Sequence, residues 1–305
     1  MGLKTLLSTL FVIIAAFLFI AYWFIPFNTT VFSNYKGGNN FNFSINSSND
    51  SMQFYNNLRF SSSNISYDIV DCPLYKENDI RKAFAILQNI TVLSFYSVES
   101  NGDISAFCTD RTKPSKNGFF VAGEGGPVNI TKLLDFNLIS HGEITLIKES
   151  QCNEPKIAIH EILHALGFKH SSNPDSIMYP TSNCNQEIGQ DIINKIKEVY
   201  SYPSYPDLSF ENVSAVMHGR YLDANISIRN NGFVNSNNGS IIIFADNKFV
   251  KEFNLKSIKA GYGIVLSVNN VAVNKLSVNE LEFEINYPYS ELKKTNNKIK
   301  LEIKN

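Results

Sequence analysis

Three of the chain's five histidines fall within eleven residues, 160–170, in the stretch HEILHALGFKH. His160 and His164 stand at i and i+4, so on a helix their side chains share one face a single turn apart. That separation lets two imidazole nitrogens reach one Zn²⁺ at about 2.0–2.1 Å. Gly167 suits the end of such a helix, because glycine enters the left-handed region that turns the chain back. His170 then arrives from outside the helix as a third ligand. Three His ligands leave a fourth position for water, the arrangement of a catalytic zinc. Zinc brings bound water towards a pKa of about 7, and Glu161, beside the first ligand, is placed to take its proton. A lone buried histidine is more often a hydrogen-bonded core residue. Requiring Gly and His at the further positions lowers a chance match about a thousandfold. His141 and His218 precede glycines and read as solvated turn residues.

The rest of the chain sets this stretch in an exported protein. After Lys4 no charged residue appears until Lys36, and TLLSTLFVIIAAFLFIAYWFIPF runs apolar between them. That length is enough to cross a hydrocarbon core of about 30 Å. Lys4 on the short side places the N-terminus in the cytosol and the body outside, a single-pass arrangement in the cell membrane held through residues 5–27. Cleavage as a signal peptide with secretion is the rival reading, against which the bulky end AYWFIPF counts. Ten Asn-X-Ser/Thr sequons add weak support for a glycoprotein. The four cysteines, Cys72, Cys108, Cys152 and Cys184, lack the close pairs of a structural zinc site and read as two disulfides. Three connectivities are open. The expected one is Cys72–Cys108 and Cys152–Cys184, cross-linking neighbouring strands and bracketing the His-rich helix. A net charge of -1 gives no electrostatic case for nucleic acid.

Pattern divides the chain further. Residues 1–27 form the expected signal anchor. Residues 28–60, rich in Asn and Ser, read as a polar stalk. Residues 61–202 mix strands (65–70, LSFYSV, DISAFC, 143–148) with helices at 78–90, from near Pro155, and at 185–202. After the Pro-punctuated YPSYPDLS, residues 207–305 alternate apolar and polar between Asn/Gly/Asp turns, the pattern of a β-sandwich. The expected fold class is therefore α+β, with an all-β sandwich at the C-terminus and one N-terminal transmembrane helix.

His160-Glu161-x-x-His164-x-x-Gly167-x-x-His170, followed by SIMYP at 176–180, resembles the metzincin zinc motif with its Met-turn, in which Met178 would be the Met-turn residue. Within that group residues 61–202 are most similar to matrixins: YDIV, DIRKAFAILQ, LSFYSV, DISAFC and a final helix ending at Tyr200 match the order of elements. The resemblance implies one catalytic zinc held by His160, His164 and His170, with Glu161 as general base acting on a zinc-activated water. Ile162 and Leu163 depart from the family's usual bulky residue and glycine. No cysteine-switch motif precedes the domain. No ligands for structural zinc or Ca²⁺ are matched, so calcium is unsupported, and GEGGP at 123–127 reads as a turn as readily as a metal loop. The C-terminal stretch, through ANISIRNNG and YSELKKTNNKIKLEI, is similar to CARDB-type, Ig-like sandwiches.

These readings lead to a membrane-anchored extracellular zinc endopeptidase acting on protein or peptide substrates. The alternative is a surface adhesion protein with a catalytically idle zinc domain, in which the sandwich binds a surface ligand. Glu161 discriminates between them, because an idle site has no use for the base.

Overall fold

The computed structural model of the 305-residue chain describes residues 2–24, 28–36, 51–111 and 121–303. Helix α1 (Leu3–Phe24) and strand β1 (Thr29–Lys36) come first. The first domain follows as β2 (Leu58–Phe60), β3 (Asn64–Val70), α2 (Leu74–Ile90), β4 (Ser94–Ser97), β5 (Ile104–Cys108), β6 (Gly123–Lys132), β7 (Asn137–Leu146), α3 (Lys156–Ala165) and α4 (Gln190–Val199). The C-terminal domain is β8 (Leu208–His218), β9 (Tyr221–Asn230), β10 (Gly239–Ala245), β11 (Lys248–Leu255), β12 (Tyr262–Ala272), β13 (Glu280–Asn286) and β14 (Lys298–Glu302).

In the first domain the sheet runs β2-β7-β5-β3-β4, all parallel, with β6 added antiparallel to β7. Parallel strands bury both faces, and β3 accordingly buries Ile65, Ser66, Tyr67 and Asp68 in succession. α2 packs a stripe of Ile80, Ala83, Phe84 and Leu87 into the same core, the spacing of an amphipathic helix. α3 is buried almost all round, with Ile159, Ile162, Leu163 and Ala165 in that core beside the histidines. Register shows why β6 is the rim of this sheet. β2 and β5 take successive stretches of one edge of β7, at 137–139 and 142–146, and β6 lies along the other.

In the second domain period-two alternation does the work. β9 buries Leu222, Ala224, Ile226 and Ile228 while the residues between them face outward. Two four-stranded sheets, β1-β12-β9-β8 and β11-β10-β13-β14, close over that core.

Several expectations change. Residues 28–60 are not simply a polar stalk. Thr29–Lys36 is a strand in full antiparallel register with β12, so this N-terminal segment completes a sheet of the C-terminal sandwich. Residues 51–60 belong to the first domain, where Leu58 and Phe60 are buried. The segment between them lies outside the described residues, as do the sequons at Asn42, Asn46 and Asn49. The other seven sequon asparagines, Asn28, Asn64, Asn89, Asn129, Asn212, Asn225 and Asn238, are all exposed. α2 begins at Leu74, four residues before the expected start at 78, with Pro73 in the cap position. α4 starts only at Gln190, because the preceding residues form turns.

The expected transmembrane helix is not supported. Among the described residues no helix is long and apolar enough to cross a membrane.

Arg59 joins the two domains. Its guanidinium is buried and donates to the carbonyls of Phe60, Val199 and Tyr202 at 2.7–3.0 Å. It also stacks 4.6 Å from the ring of Tyr200 and 4.1 Å from that of Phe233 in the sandwich. Only a planar fork serves several carbonyls and two ring faces at once. Arg59→Met is expected to destabilise the protein by about 2–4 kcal/mol, since it strands buried acceptors. Arg59→Lys should fail to restore the thermal midpoint. A lysine variant that melts with wild type would refute the fork.

Candidate metal centre

α3 presents His160 and His164 a turn apart, with ring centroids 4.6 Å from each other. At its end Gly167 takes φ +96°, the left-handed conformation, and a Cβ there would stand 2.5 Å from Leu58 Cδ2. Both the backbone sign and the space therefore demand glycine. Past that turn His170 comes back over the helix. Its Nε2 lies 3.3 Å from His160 Nε2 and 3.2 Å from His164 Nε2. Ligand atoms of the three histidines all fall within 4.8 Å of one another.

These distances fit a metal. Four ligands set tetrahedrally at about 2.0–2.1 Å from zinc stand about 3.3–3.4 Å apart. The second nitrogens support the same reading. His160 Nδ1 lies 2.6 Å from the carbonyl of Ile177, and His164 Nδ1 2.7 Å from that of Phe168. A carbonyl accepts only, so each Nδ1 carries the hydrogen and each Nε2 presents its lone pair to the shared space. Burial lowers the pKa of His160 and of His170, and burial followed by His160 lowers His164 to about 3. The cluster is thus neutral at neutral pH, the form that binds metal. Phe54, from a segment expected to be stalk, stacks on the His164 ring at 5.9 Å.

Met178 is buried in the first domain's core, and its carbonyl accepts the N–H of Ser171, one residue past His170. The disulfide pairs are Cys72–Cys108 and Cys152–Cys184. The first ties the ends of neighbouring β3 and β5. The second closes the segment that runs from before α3 to beyond Met178. His141 sits in strand β7 rather than the expected turn, 3.6 Å from Glu143, and His218 ends β8, 3.4 Å from Asp223; neither belongs to the three-histidine group.

Glu161 is 5% exposed. Burial pushes its carboxyl up to about 8, with Glu124 adding repulsion. What covers it is β6, the strand whose GEGGP start reads from sequence as a turn. A Cβ on Gly123 would stand 2.7 Å from Glu161 Cγ, and one on Gly125 2.4 Å from the Glu161 carbonyl oxygen. The bare backbone of β6 therefore lies directly on the Glu161 segment of α3. The glycine spacing, at alternate positions of one strand face, is the signal that could have disclosed it.

Residues 57–201 match the family model for Matrixin. The first domain is matrixin-like. Interstitial collagenase B of Mus musculus is 26% identical over 217 residues, which cover 65% of this chain and 43% of that protein. Matrix metalloproteinase-26 of Homo sapiens is 28% identical over 148 residues, covering 45% and 55%. The chain thus spans less than half the length of the collagenase. Among solved structures, a CARDB domain from Pyrococcus furiosus in complex with di-metal ions is similar at 14% identity and a TM-score of 0.28, covering 32% of this chain and 87% of that one.

Within the matrixin-like domain, Gly167→Ala should both destabilise and demetallate. A left-handed non-glycine residue costs about 1–3 kcal/mol, and the shift displaces Phe168 and His170 together. A lower thermal midpoint and sub-stoichiometric zinc by elemental analysis are expected. Unchanged zinc content would show that the turn does not set the third ligand.

Proposed function

We propose that the matrixin-like domain is a zinc endopeptidase that cleaves protein or peptide substrates in an oxidising compartment outside the cytosol. The observation that carries this reading is the convergence of three imidazole Nε2 atoms, each helix histidine fixed by a carbonyl at Nδ1, next to a buried glutamate. His160, His164 and His170 would hold the ion. When bound, zinc supplies a Lewis acid for the scissile carbonyl and lowers the pKa of water.

The chain's own groups do the rest. Glu161 takes a proton from the attacking water as its oxygen bonds to the carbonyl carbon, and delivers that proton to the nitrogen as the C–N bond breaks. Burial under β6 raises the proton affinity of this carboxyl in the metal-free site, and the positive charge of a bound ion would favour the ionised form that accepts the proton. Substrate orientation follows from the sheet. The outer edge of β6 pairs with no strand among the described residues, so an extended peptide can add there through main-chain hydrogen bonds. The two disulfides accord with the compartment.

The test uses the purified zinc-loaded protein and an unstructured protein substrate. Cleavage is expected, and a chelator should stop it. Glu161→Ala should lower the rate by about 10²–10⁴-fold, the usual worth of a general base, with zinc still bound at one per chain. Full activity in Glu161→Ala would overturn the mechanism. Stoichiometric zinc without any cleavage by wild type would favour the idle-domain reading instead.

A further inference from the structure

β6 has two ends with different neighbours. At residues 123–126 it is mostly glycine and lies on Glu161. These glycines bring no side chains to hold it there. At the other end the β6–β7 connection leaves the first domain's core and enters the sandwich. Leu133, Phe136 and Leu138 pack there against Phe233, Ala260 and Leu292 of the C-terminal domain. Leu133 and Phe233 are 2% and 1% exposed, so this is a closed apolar contact.

Directional contacts fix the same tip. Phe136 meets the Phe233 ring edge-on at 4.9 Å. Arg229 Nη2 of β9 donates to the Lys132 carbonyl at 2.7 Å. Thr131 Cγ2 lies 2.2 Å from where a Cβ on Gly261 would stand. Phe233 is itself held by the Arg59 guanidinium 4.1 Å above its ring. β6 is ten residues long, from the glycines over Glu161 to the clamped Thr131 and Lys132, and it is the outer strand of its sheet. An outer strand with a glycine-rich half is where a sheet frays first.

We propose that the C-terminal sandwich is a positioning domain for the substrate edge: by gripping the tip of the β6–β7 hairpin it holds β6 in place over Glu161. This rests on the endopeptidase reading for its consequence, since β6 is the edge on which an extended substrate pairs. It assigns the sandwich a role in catalysis through Phe233 and Arg229. Neither touches the reacting atoms; both act through β6.

Amide hydrogen exchange on the full-length, zinc-loaded chain tests the grip directly. Phe233→Ala and Arg229→Met should each raise exchange in residues 123–132 by about tenfold while α3 is unchanged. KM for an unstructured protein substrate should rise about 3- to 10-fold, with kcat within about twofold, because binding on β6 is loosened and the zinc-side groups are not. As a control, Ile243→Val, deep in the sandwich core, should lower the melting temperature and leave both β6 exchange and KM unchanged. If Phe233→Ala unfolds the sandwich, Arg229→Met decides. Unaltered β6 exchange in Arg229→Met, with the sandwich folded, would overturn the proposal. If no form of the protein cleaves substrate, the endopeptidase reading fails while the exchange data still judge the clamp.

Discussion

The carbonyl oxygens of Ile177 and Phe168 accept the Nδ1 hydrogens of His160 and His164, and this fixes both imidazoles as neutral rings with inward lone pairs. Everything else about the site depends on those two bonds. They come from chain segments that must themselves be held. Phe168 follows the left-handed Gly167, and Ile177 precedes Met178 in a turn whose backbone bonds to Ser171 and Glu187. The Cys152–Cys184 link closes the whole stretch, and a loop of 32 residues corresponds to about 3–4 kcal/mol of entropy removed from the unfolded chain. The site is thus rigid by construction, as a ligand set must be if binding energy is not to be spent on ordering it.

The second constraint is that the two domains are not independent along the chain. β1, from ahead of the first domain, pairs across eight positions with β12 of the sandwich. Arg59, near the start of the first domain, stacks on Phe233 of the second and donates to the carbonyls of Val199, at the end of α4, and of Tyr202 in the linker. The β6–β7 hairpin closes the junction. A sandwich serving only as a spacer has no need of these attachments beyond the linker.

The features legible in the sequence share one cause. The ligand set follows from helical period, so His160, His164, Gly167 and His170 could be read without a structure. The sandwich strands declare themselves by alternation, as in YLDANISIRN. The disulfide pairs, Cys72–Cys108 and Cys152–Cys184, are one of three connectivities that the sequence leaves open. What was hidden depends on tertiary pairing without local pattern. β6 is glycine-rich and polar, so its strand character comes wholly from β7 beside it and α3 beneath it. β1 sits in a segment of stalk-like composition, with Val31 and Phe32 both exposed, and backbone register alone places it. Arg59 lies in the stretch expected to be polar stalk and is instead buried by acceptors from residues 140 and more positions away.

The account's central claim is the coordination set, and X-ray absorption at the zinc edge of the zinc-loaded protein tests it most directly. Three imidazole nitrogens and one oxygen at about 2.0–2.1 Å are predicted. A shell with sulfur at about 2.3 Å, or one with fewer than three imidazoles, would contradict it.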